Sequence, residues 1–266
     1  MKKLFKILIT IIIIPIIFIY SSVILAQLVL IKEYGRHFTT TETTTFLNSK
    51  ITFIDFWGDL LCIGILFLIF LTTNDGLIKR CKFKKFSTKK LPVILSLTIG
   101  LTFITVTIVG LIQKFINVTS YTSIVNDFSS VHSSIIYFLI CIIACPIMEE
   151  IVFRGCIFSV LKRNMNIVIA LIIQALIFAI VHENIVQSSY VFFLGLVLGF
   201  VFIYTGSLLG NIICHITFNL FGMVLLPLLA SLYYNPIIYI IIGVILIIFS
   251  LYLYKKQEKN IVKIPI

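Results

Sequence analysis

Glu149 and Glu150 stand side by side with Arg154 four residues on, in the otherwise apolar stretch Cys145-Pro146-Ile147-Met148-Glu149-Glu150-Ile151-Val152-Phe153-Arg154-Gly155. The surrounding run, about Val131 to Leu161, is long enough to cross a bilayer. Charge at that depth is expensive and is usually kept for function. Residues four apart share a helix face, so Glu150 can pair with Arg154. Glu149 projects about 100° away, towards a different neighbour. A structural ion pair accounts for Glu150 and Arg154 and leaves Glu149 over, free for proton transfer. Two histidines lie within apolar segments. His182 ends Phe178-Ala179-Ile180-Val181-His182, and His215 shares a face with Asn219 in His215-Ile216-Thr217-Phe218-Asn219. A carboxylate pair, two imidazoles and an amide make the inventory of a hydrolase: a base, donors for an oxyanion and potential metal ligands.

The elements that must position them are transmembrane helices. Of 266 residues, 60% are hydrophobic and 12% charged, and the mean hydropathy is +1.17. A soluble domain carries about twice that share of charge. The fold class expected is therefore all-α: one multi-pass domain over residues 1–266, a bundle of about eight transmembrane helices. The spans run over about 4–31, 53–71, 91–113, 131–161, 167–181, 190–204, 207–231 and 237–254. The first is too long for a signal-peptide core and reads as an uncleaved helix. A Thr-rich loop, Lys32 to Lys50, separates it from the second. The fifth, about 15 residues, is short for a crossing. Pro146 cannot donate to the Ile142 carbonyl and should disturb the helix just before the glutamates.

Net charge is +11. The basic residues cluster between spans, so lipid and topology explain them and nucleic acid is not an expected partner. With eight spans, sixteen Lys and Arg fall on one side and four on the other, Arg154 being left in the membrane. That split places both termini in the cytoplasm. The six cysteines have no framework spacing and read as small buried residues. A thiolate metal site at Cys141, Cys145 or Cys214 lacks any CxxC. One geometric difficulty stands out. Counting about 1.5 Å per residue from the cytoplasmic ends puts Glu150 at roughly 18 Å, His182 at roughly 24 Å and His215 at roughly 12 Å. These depths agree only if helices tilt, bend or begin elsewhere.

Glu149-Glu150-x-x-x-Arg154, Phe178-x-x-x-His182 and His215-x-x-x-Asn219 occur in that order on three expected helices. The set resembles the CAAX-protease and bacteriocin-processing family of intramembrane proteases (CPBP, or Abi), which includes the type II CAAX prenyl endopeptidases. The resemblance covers a catalytic core of about residues 131–222 and leaves 1–116 as generic helices. It implies a CPBP-type metallo- or glutamic endopeptidase acting on a membrane-associated peptide or protein, in an integral protein of the plasma membrane. Glu149 would activate water, His182 and His215 would position it, Asn219 would stabilise the oxyanion, and Glu150 with Arg154 would hold the geometry. A zinc ion on Glu149, His182 and His215 is an option the family leaves open. Two other functions fit the same residues: a bacteriocin-immunity or self-protection protein, and an ion- or proton-coupled transporter.

Overall fold

The computed structural model describes residues 2–32, 40–71, 76–115, 134–182 and 185–262. Among them there is no strand. The helices are α1 (Lys2–Lys32), α2 (Thr40–Leu71), a short α3 (Leu77–Cys81), α4 (Leu91–Phe115), α5 (Ile135–Asn164), α6 (Ile167–Ile180), α7 (Ile185–Thr205), α8 (Leu208–Leu232) and α9 (Pro236–Val262). Long apolar runs fold this way because lipid offers the backbone no hydrogen bonds, and only a helix satisfies every N–H and C=O within one segment. Polar side chains close the ends. Asn166 accepts from the Val168 and Ile169 N–H groups at the start of α6, Ser207 from Leu209 N–H at the start of α8, and Asn235 from Ile237 N–H at the start of α9.

Seven of these helices, from 21 to 30 residues in their apolar parts, are long and apolar enough to span a membrane. This is an integral membrane protein. The fifth expected span, α6, has 14 residues and falls short of that length. The Thr-rich loop expected over Lys32 to Lys50 is also corrected: from Thr40 onward the chain is already α2. Thr45 and Ser49 hydroxyls bond back to the Thr41 and Phe46 carbonyls, so the polar residues of this turn serve the helix they were expected to interrupt. Residues 116–133, which include the start of the expected fourth span, lie outside the described residues, as do residues 183 and 184.

Large apolar side chains point outward on α1 and α9, among them Leu4, Ile13, Ile241 and Phe249, while polar ones turn inward. That arrangement suits a lipid solvent. α4 pairs along α9, α6 along α7 and α1 along α2; α5 and α8 are the hub they surround. The core between them holds Phe153, Phe158, Phe178, Leu198 and Phe202, all fully buried.

Two departures from regular helix position the site. The disturbance expected at Pro146 takes the form of a widened π-helical turn over Ile140–Ala144, where Cys145 N–H reaches back five residues to the Ile140 carbonyl. A second π-helical stretch, Ile151–Phe158, follows Glu150 directly, and a third, Phe221–Leu225, follows the His215 helix. π turns of this kind gather at functional sites. The second departure is the α7–α8 turn. Gly206 has φ +64°, which a residue with a Cβ adopts only with strain. Ser207 and Leu208 beyond it are fully buried. The Ser207 hydroxyl donates to the Lys84 carbonyl, and Leu208 N–H donates to the Lys82 carbonyl at 3.3 Å. Residues 82–87 therefore roof this turn. α8 starts below the surface, so His215, two turns along it, reaches the level of Glu150.

Candidate active site

Glu150 is fully buried and is the centre of a polar network. Its Oε1 accepts from Arg154 Nη1 at 2.9 Å and from His215 Nδ1 at 3.0 Å, and its Oε2 from Asn211 Nδ2 at 3.2 Å. Helical spacing puts Arg154 one turn along, as the sequence requires; Asn211 and His215 come from α8, one turn apart on a single face. The guanidinium stacks over the Phe178 ring at 4.5 Å and sends Nη2 towards the Gly195 carbonyl at 3.4 Å. Gln174 Nε2 donates to that same carbonyl at 2.7 Å. α7 comes this close because Gly195 has no side chain: a Cβ there would stand 3.0 Å from Ala175 Cα.

The two imidazoles are fixed in the same way. His215 Nδ1 faces the Glu150 Oε1 that Arg154 also contacts, and His182 Nδ1 lies 2.7 Å from the Phe178 carbonyl. Both partners only accept, so each Nδ1 carries the proton and each Nε2 keeps its lone pair in the neutral ring. Both rings meet the Phe178 ring edge-on, at 4.9 Å for His182 and 5.9 Å for His215. The phenylalanine of the second motif is thus the spacer that sets the two histidines side by side. The difference in depth counted along the chain is not found in the folded protein.

Beside this network lies a cavity of about 490 Å³. Glu149, His182 and Asn219 line it; Glu150, Arg154 and His215 stand behind its wall. Glu149 Oε2 is 3.8 Å from His215 Nε2 and has no hydrogen-bond partner among the described residues, yet 18% of the side chain remains exposed. It is a carboxylate set loose at the edge of a rigid cluster. Asn219 Nδ2 donates one hydrogen to the Cys141 carbonyl at 3.1 Å, leaving its second N–H. The six expected residues therefore converge, three on the cavity and three as support.

Sequence reasoning missed four polar side chains here. Asn211 and Gln174 are fully buried in the network. Asp55 and Asp59 of α2 line the cavity, so helices that look generic in sequence supply one of its walls. Asn211 was findable as the residue one turn before His215. The two aspartates were findable as a pair one turn apart inside an apolar span. The zinc set Glu149, His182 and His215 offers suitable donor atoms in its two Nε2 lone pairs and one carboxylate. It is not gathered around one centre: among the described residues no group of three or more His, Cys, Asp or Glu side chains is arranged to hold a metal ion. His182 is on the cavity wall and His215 is behind it.

The all-helical membrane bundle thus gathers carboxylates, imidazoles and an amide beside a cavity. Residues 131–221 match the family described as Rce1-like, type II CAAX prenyl endopeptidase. That match covers about a third of the chain and supports an assignment of the segment to the CAAX-protease (CPBP) family. No curated protein and no solved structure matches the chain.

Proposed function

We propose that the protein cleaves a peptide bond of a membrane-associated peptide or protein with Glu149 as general base. In this scheme the Glu149 carboxylate takes a proton from a water molecule in the cavity as that water attacks the scissile carbonyl, and returns it to the leaving amine. His182 Nε2 accepts the water's other hydrogen and orients it. The second N–H of Asn219 faces the oxyanion as it forms. His215 backs Glu149, and Glu150 with Arg154 and Asn211 holds His215 in one tautomer. The observation that carries the scheme is the position of Glu149: on the cavity edge, without a hydrogen bond, in contact range of a fixed imidazole.

The test is cleavage of a lipid-anchored, internally quenched peptide library by the purified protein in liposomes. E149Q should abolish turnover while insertion and monodispersity are unchanged, whereas full activity in E149Q would remove Glu149 from the chemistry. No step is routed through zinc. Elemental analysis of active protein should find no stoichiometric metal, and chelator-treated protein should keep its turnover. We also place the protein in the plasma membrane with both termini cytoplasmic, on the sixteen-to-four split of Lys and Arg that results when the short α6 counts as an eighth crossing. A C-terminal fluorescent-protein fusion should then be bright in intact cells.

A further inference from the structure

The cavity has an acidic wall that the hydrolytic scheme does not use. Asp55 and Asp59, one turn apart on the same face of α2, line it together with Glu149. Asp59 is only 4% exposed and lies inside the apolar span Ser49–Leu71. Among the described residues its carboxylate has no hydrogen-bond or ion-pair partner. Among the described residues no Lys or Arg side chain lines the cavity, and the nearby Arg154 is engaged by Glu150 behind the wall. A buried carboxylate without a partner is costly in a medium that screens poorly. A positive charge that arrives to meet it lowers that cost.

We propose that the α2 wall, with Asp59 as its principal acceptor, is a substrate subsite for a cationic side chain, a lysine or arginine close to the bond presented to Glu149. It rests on the protease function proposed above only in treating the bound molecule as substrate. A side chain is favoured over a metal ion because no three carboxylate, imidazole or thiolate groups among the described residues converge on a point. A long flexible stem can bring its charge to a single carboxylate. It can also thread through apolar surroundings while its ammonium or guanidinium reaches a polar end.

Binding can be read without turnover. Two lipid-anchored peptides carrying a benzophenone, identical except for lysine or norleucine at one position, are photocrosslinked to the full-length protein in nanodiscs, with the position varied across the series. At the matching position wild type should take the lysine peptide more tightly by on the order of tenfold or more, as expected for one charge-assisted hydrogen bond. D59N should bring the two peptides to parity without weakening the norleucine peptide, and D59E should restore the preference. Since Asp59 holds nothing in the resting protein, D59N should fold as wild type does. Equal labelling of both peptides by wild type at every position overturns the subsite, as does a preference that survives in D59N. Stoichiometric Mn²⁺ binding by wild type that is lost in D59N overturns it in favour of a metal site. A lysine preference with no cleavage of any peptide leaves the subsite standing and removes the protease function. Cleavage of both peptides at equal rates does the reverse.

Discussion

Glu149 and Glu150 are adjacent in the same helix and chemically identical, yet the structure requires that neutralising them have different effects on stability. In E150Q the amide replaces a carboxylate that accepts three hydrogen bonds, from Arg154 at 2.9 Å, His215 at 3.0 Å and Asn211 at 3.2 Å. One amide oxygen cannot serve all three, and the new NH₂ points at groups that are themselves donors. The larger loss is electrostatic, because Arg154 is fully buried and would keep its charge without a counter-ion. Removing one partner of a buried pair costs about 3–5 kcal/mol. E149Q removes a carboxylate whose Oε2 bonds to nothing among the described residues, so its cost should stay under about 1 kcal/mol. Equilibrium unfolding in mixed micelles titrated with dodecyl sulfate, followed by circular dichroism, measures both. E150Q should unfold at markedly lower dodecyl sulfate fraction and E149Q at the wild-type fraction, while both fail to cleave peptide. If the two variants are equally stable, or E149Q is the weaker, then Glu150 is not the keystone of the network and the division of labour between the two glutamates is wrong.

Three further outcomes follow from the same geometry. N211A removes a donor shared by Glu150 and the Leu198 carbonyl and should cost about 1–3 kcal/mol of stability; it should lower kcat more than it changes KM, and an unchanged kcat would place Asn211 outside the support of the site. N219A removes a group on the cavity wall whose visible bond is to the Cys141 carbonyl, so turnover should fall on the order of a hundredfold or more with little change in unfolding; wild-type turnover would assign the oxyanion to another donor. G195A sets a methyl 3.0 Å from Ala175 Cα and should push α6 from α7 at about 1–3 kcal/mol, with activity falling because the carbonyl that Arg154 and Gln174 share moves with it; a wild-type melting temperature would show that the two helices have room to give.

What could be read from the chain, and what could not, divides along the range of the interactions. The pairing of Glu150 with Arg154 and the shared face of His215 and Asn219 depend on one helical turn, and spacing alone contains it. The supporting role of Asn211 depends on the same turn and was within reach; the i, i+4, i+8 row of Asn211, His215 and Asn219 is visible once His215 is taken as its centre. Asp59 was legible too, since it falls inside the expected span 53–71, where a carboxylate is as costly as one beside Met148. The π turns at Ile140–Ala144 and Ile151–Phe158 belong to a different range. Each adds a residue to a turn and loses local hydrogen-bond geometry, a cost that packing against α2, α6 and α8 must offset, and no local pattern records those partners. The depth of His215 is longer-ranged still. It depends on backbone carbonyls of Lys82 and Lys84 capping a turn more than a hundred residues away, so that α8 begins beneath a roof of loop. A basic loop is read from sequence as a topological signal, and here the same segment also sets the height of an imidazole. It follows that a change confined to residues 82–87 acts on the site through the start of α8, because the Ser207 hydroxyl and Leu208 N–H are bonded to the Lys84 and Lys82 carbonyls and the register of His215 against Glu150 runs from that turn.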